Sequence, residues 1–147
     1  DLKFLVVSGK NNPNNENIKK FIKEKKLKQV KFIINPKNIA KIMNEADMAI
    51  ISGGIILAEI AYLGIPPILY SIASNQHLHI KGWRKKININ YLGSFTKRNN
   101  DKVLRLNEML NLSYAQRKEI SKKLKSQIDG DGSKKIANFI EKYLKTK

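Results

Sequence analysis

The stretch from Ala46 to Gln76, ADMAIISGGIILAEIAYLGIPPILYSIASNQ, holds the residues whose types and spacing suit chemistry. An apolar run ends at Ile51, Ser52-Gly53-Gly54 follow, and a helical pattern begins. In an open parallel sheet, ligands bind outside the carboxyl ends of the strands. A helix N-terminus placed there presents free backbone N–H groups and the positive end of the helix dipole, which together attract a phosphate. Glycines at 53 and 54 would let the backbone approach a pyrophosphate that a side chain would hold away. Glu59 falls about a turn and a half into the helix. Its carboxylate can accept hydrogen bonds from two vicinal hydroxyls, such as those of a ribose. Beyond the next apolar run, Asn75 and Gln76 offer uncharged amides at the same sheet edge, suited to sugar or phosphate oxygens.

Each feature also has a plain structural reading. Gly53-Gly54 can be a tight strand-to-helix turn, Asn75 a helix cap and Glu59 a solvated helix residue. Against the last stands the setting of Glu59. Leu57, Ala58, Ile60 and Ala61 around it are apolar, and a charge inside such a run needs a partner.

The elements that must position these residues follow from pattern and punctuation. Apolar runs predict strands over 2–8, 29–34, 48–51, 67–71 and 87–91. Between them, helical spacing predicts a helix capped by Asn14 or Asn15, a short one over 38–46 with Ile39, Ile42 and Met43 inward, and others over 54–63 and 76–85. Gly64, in Leu63-Gly64-Ile65-Pro66, suits a helix C-cap. After Asn99 the alternation stops, and three amphipathic helices are expected over 101–110, 114–128 and 133–144. Strand alternating with helix is the signature of βαβ units. The expectation is therefore α/β: a Rossmann-like parallel sheet with helices on both faces and a helical C-terminal tail. No repeat or low-complexity linker interrupts 1–147, which reads as a single domain.

Composition bounds the function. The 147 residues, 41% hydrophobic and 28% charged, have the balance of a globular chain with a core. The net charge is +17, yet only Arg84, Arg98, Arg105 and Arg117 are arginine. Bidentate readout of phosphate and guanine favours arginine, so the lysine-dominated charge argues against specific nucleic-acid binding. It would still draw the protein toward anionic ligands or an anionic membrane. No cysteine is present, which suits a reducing, cytoplasmic setting. DLKFLVVSGK lacks the regions of a signal peptide. A start without Met that enters a strand at once reads as a cut within a longer protein. His77 and His79, two apart on a helix, point to different faces and suit no shared metal. Asp129 and Asp131 in IDGDGS lack the further ligands of an EF-hand loop and read as a turn before the last helix. No metal and no cofactor are expected.

At these residues a family resemblance appears. The Asn-Pro turn of Ser8–Pro13, the run 38–43 with Glu45-Ala46-Asp47, Gly53-Gly54 with Glu59, the turn 63–66, Asn75-Gln76 and the Asp-Gly-x-Gly of 129–132 occur in the order and spacing of one group. The chain resembles the C-terminal half of glycosyltransferase-B (GT-B) fold enzymes, most of all the UDP-sugar hydrolase of pseudaminic acid biosynthesis and its spore-coat polysaccharide relatives. That resemblance implies a bacterial nucleotide-sugar hydrolase binding UDP or a UDP-sugar, with an N-terminal partner domain of the same protein supplying the general base. It places uracil by Ile34, Asn35 and Ile39, the pyrophosphate on the N–H groups of Gly53, Gly54 and Ile55, the ribose on Glu59, and phosphate or sugar near Asn75 and Gln76. The family carries Ser-Thr after the diglycine, and this chain carries Ile55-Ile56, which removes two hydroxyl donors. A GT-B glycosyltransferase is the alternative: the lipid-linked N-acetylglucosaminyltransferase of peptidoglycan synthesis is similar, including its Glu and Gln. A second alternative is a non-catalytic subunit that supplies the donor site to another chain.

Overall fold

The computed structural model describes residues 2–87, 89–95 and 101–145. It separates into two compact units, Asp1–Ala46 and Asp47–Lys147, at a point where the sequence carries no linker.

In the first unit, β1 (Phe4–Ser8) and β2 (Val30–Ile34) pair in parallel, Phe4 opposite Val30 and Ser8 opposite Ile34. Helix α1 (Asn15–Glu24) connects them, and α2 (Ile39–Asn44) follows β2. The loop after β1 is tied down by its own asparagines. Asn12 donates to Ser8 Oγ at 2.9 Å, and the Asn15 amide donates to the Gly9 carbonyl at 3.0 Å. Asn14 therefore occupies the N-cap of α1 without a side-chain cap bond, and Asn15 is turned back into the loop. Asn38 does cap α2, accepting from the Lys41 N–H at 2.9 Å. Met43 is buried, but Ile39, expected to face inward with it, is 38% exposed. It is the first residue of a six-residue helix. Its side chain leans toward the N-terminus, past the surface the helix can cover.

In the second unit, β3 (Ala49–Ser52), β4 (Pro67–Ser71) and β5 (Asn90–Ser94) form a parallel sheet with β4 in the centre. Helices α3 (Ile56–Leu63) and α4 (Gln76–Lys86) join its strands, and α5 (Asp101–Leu110), α6 (Tyr114–Lys125) and α7 (Gly132–Lys145) follow. Central β4 is buried at every residue but Tyr70, which explains its unbroken apolar run. The core joins Leu57 and Ala61 of α3, Leu69 of β4, Ile80 of α4 and Leu124 of α6 with Ile87 and Ile89. Those last two residues explain why β5 starts at Asn90 and not at 87. Ile87 caps α4, its N–H donating to the Trp83 carbonyl at 2.8 Å, and both isoleucines plug the core from a connecting segment. Their alternation mimics a strand. Gly64 ends α3 at φ 74°, where a Cβ would lie 2.4 Å from Lys125 Cε. Ser113 and Gln116 form a capping box at the start of α6. The apolar stripe of α7, Ile136, Phe139, Ile140, Tyr143 and Leu144, is exposed.

Every ladder is parallel, as the βαβ alternation requires, although the strands form a pair and a triplet. The chain is α/β and Rossmann-like, with its parallel strands flanked by helices and a helical C-terminal end.

Candidate functional site

The turn between β3 and α3 is pinned on several sides. The Gly53 N–H donates to the Tyr70 carbonyl at 3.0 Å and the Gly54 N–H to the Ser52 carbonyl at 2.8 Å. Two of the three N–H groups expected to meet a pyrophosphate are thus already engaged. The groups without an acceptor among the described residues are those of Ile55 and Ile56, at the N-terminal end of α3. The physical reason is that Gly53 carries the backbone pairing of β3 with β4 one residue beyond the strand. The open donors are displaced toward the helix accordingly.

The two glycines are glycines for different reasons. A Cβ on Gly53 would lie 2.3 Å from Ile80 Cγ1, so the close approach of α4 dictates that residue. A Cβ on Gly54 would meet only Ser52 Oγ, at 3.8 Å. Nothing in the packing of the described residues requires glycine at 54.

Ile55 stands at the N-cap of α3, 86% exposed, with no side-chain cap bond. Ile72, just past β4, and Leu78, in the first turn of α4, are exposed as well. The carboxyl ends of these strands are more apolar than a row of hydroxyls would make them. Glu59 is exposed and, among the described residues, makes no hydrogen bond or ion pair. Its apolar flanks pack inward while its own side chain faces solvent, so it needs no partner from the protein. It lies in the first turn of α3, where the helix dipole favours an anion.

Asn75 occupies the N-cap of α4 in helical geometry with no side-chain cap bond, so its capping role is not realised. It is exposed. Gln76 uses its Oε1 to accept from the Ile72 N–H at 3.0 Å, which leaves its NH2 donors open. The Gln76 Cβ is 3.7 Å from the place a Gly53 Cβ would take, so Gln76 and the glycine turn are neighbours.

The fold draws His77 and His79, which the sequence pattern excludes as a shared metal site, into this edge. Nε2 of His77 is 3.1 Å from Oγ of buried Ser71, which is itself 2.8 Å from the Tyr91 hydroxyl. Arg84 lies over the Tyr91 ring, 5.5 Å from its centroid. Nδ1 of His79 is 2.9 Å from the Gly53 carbonyl oxygen, and Trp83 Nε1 donates to His79 Nε2 at 3.0 Å. The i, i+4 spacing of His79 and Trp83 on α4 was the one available signal.

The uracil candidates belong to the first unit. Ile34 ends β2, half-buried. Asn35 is exposed with φ 49°, a left-handed conformation that asparagine tolerates, and its N–H donates to the Ser8 carbonyl at 2.8 Å. Ile39 is exposed at the start of α2. In the second unit, the Asp129–Gly132 segment is a turn: the Asp131 N–H donates to Asp129 Oδ1 at 3.0 Å and Lys135 pairs with Asp129 Oδ2. The hydrogen bond from Lys135, then that from the Asp131 N–H, lowers the Asp129 pKa, and the same pair raises that of Lys135.

With the fold and this edge described, comparison with known proteins finds likeness in fold and none in sequence. No family model matches the chain, and no curated protein does. The fold is that of the Rossmann-like C-terminal half of a GT-B protein. Among solved structures it is similar to MurG of Acinetobacter baumannii, with a TM-score of 0.76 at 13% identity over 97% of this chain. This chain spans 42% of the length of that one. No helix among the described residues is long and apolar enough to cross a membrane.

Proposed function

We propose that the second unit carries a donor-nucleotide site and that the protein transfers a sugar from a UDP-sugar to an acceptor. The observation that carries this reading is the pair of N–H groups on Ile55 and Ile56, without an acceptor among the described residues, within a turn of the exposed carboxylate of Glu59, which has no partner among them either. The pyrophosphate accepts from those two N–H groups, and Glu59 accepts from the ribose hydroxyls. Asn75 and the open amide of Gln76 serve the phosphate or the sugar.

The chemistry follows from the charge. The bond from the sugar C1 to the phosphate oxygen breaks with its electron pair left on UDP, and an acceptor oxygen bonds to C1. The acceptor's proton passes to a base expected on a separate N-terminal domain. Fixed N–H donors at a helix N-terminus stabilise the negative charge that develops on the leaving phosphate. Closure of the two domains would exclude water from the step.

The likeness in fold to MurG, a GT-B glycosyltransferase, favours transfer. Hydrolysis, the activity implied by the pseudaminic acid pathway resemblance, gains no support from it. The reading is tested by comparing UDP with its 2′-deoxy analogue on the native chain and on Glu59→Ala. The native chain should prefer UDP by about tenfold, the scale of one hydrogen bond to a charged acceptor, and the variant should bind both weakly without preference. Equal affinities on the native chain would remove Glu59 from the ribose.

A further inference from the structure

We infer that His79 is the positioning residue of the glycine turn: it holds the Gly53–Gly54 peptide in the one orientation that keeps an anion-binding edge free of carbonyl oxygen. The inference rests on the donor-site reading and deepens it. Indole Nε1–H can only donate, so the 3.0 Å contact from Trp83 makes His79 Nε2 an acceptor. The ring's proton is then on Nδ1, from which it donates to the Gly53 carbonyl at 2.9 Å. Trp83 thus assigns the tautomer, and the tautomer supplies the bond to the turn.

That bond acts on a peptide unit with unusual freedom. Its carbonyl belongs to Gly53 and its N–H to Gly54, so no Cβ flanks it on either side, and hydrogen bonds rather than its own side chains set its orientation. His79 holds one edge of this plane and the Ser52 carbonyl accepts from the other at 2.8 Å. Ile80, one residue along α4 from His79, packs where a Gly53 side chain would be. The same helix therefore demands the flexible residue and restrains it. Without the imidazole the plane can turn over. The carbonyl oxygen would then face the side on which the open N–H groups of Ile55 and Ile56 lie, and it would repel a phosphate there.

The experiment has two arms on the full 147-residue chain. Long-range 1H–15N NMR of the histidine side chains should show His79 protonated at Nδ1 and bare at Nε2, and in Trp83→Phe this preference should weaken. UDP titration should then show His79→Leu weakened about tenfold, the loss of one hydrogen bond's restraint. His79→Asn places an amide donor where Nδ1 was, so it should bind within about threefold of the native chain. A merely structural role would weaken both variants in step with their melting temperatures. The inference is overturned if the native His79 carries its proton on Nε2, or if His79→Leu binds UDP as the native chain does. Failure of the native chain to bind UDP would instead overturn the donor-site reading, while the NMR arm would still decide whether His79 holds the turn.

Discussion

A Cβ placed on Gly53 would lie 2.3 Å from Cγ1 of Ile80, inside the core, while a Cβ on Gly54 would touch nothing closer than 3.8 Å. Ile80 is buried and β-branched, so it cannot swing clear. Gly53→Ala should therefore destabilise the chain by about 1–3 kcal/mol, the usual cost of overpacking. Gly54→Ala should melt within about 0.5 kcal/mol of the native chain. If the backbone at 54 is open for the approach of a phosphate, that same alanine should weaken UDP binding. Thermal unfolding and titration of the two variants separate a glycine kept for packing from one kept for a ligand.

Ile55 offers the reverse test. Its side chain is 86% exposed at the start of α3, so the fold gains little from it. Ile55→Ser places a hydroxyl at the start of α3, beside its two open N–H groups. Stability should stay within about 0.5 kcal/mol, and UDP affinity should rise about two- to tenfold, the worth of one net hydrogen bond. Calorimetry on the single variant gives both numbers.

The turn before α7 sets a pH dependence. Asp129 has its pKa lowered first by the Lys135 hydrogen bond and then by the Asp131 N–H. A depressed carboxylate contributes stability above its unfolded pKa and loses it as pH falls through the folded value, so the loss belongs below about pH 4. Lys135, raised by the same partner, contributes below its unfolded pKa and loses that contribution as pH rises through the raised value. Asp129→Asn should flatten the acid limb of a melting-temperature profile. Because both groups are largely exposed, salt should shrink the difference between native chain and variant.

Much of this fold is written in local pattern. Strand β4 and helix α5 fall on the residues that the sequence predicts, since Pro-Pro opens the strand and a polar cluster closes it, and α5 has clear helical spacing. Strand β5 does not, because Ile87 and Ile89 alternate like a strand while serving as core plugs before it. The α7 stripe has the right period for a helix, but period alone does not say what lies against it. At the site, the glycine turn and Glu59 are legible from a helix opening at the end of a strand. Which N–H groups are open is not, because that depends on the Tyr70 carbonyl across the sheet. His79 was out of reach for the same kind of reason: its partner Gly53 is 26 residues away, and only the packing of α4 brings the ring to that carbonyl.

The most direct test of the central claim is calorimetric titration of the chain with UDP, GDP, ADP and a short DNA duplex at two salt concentrations. The account predicts binding selective for UDP, lost in Glu59→Ala and less dependent on salt than that of DNA, with DNA retained, if at all, as a salt-sensitive background from the +17 charge. No UDP binding, with DNA binding that falls steeply as salt rises, would contradict it.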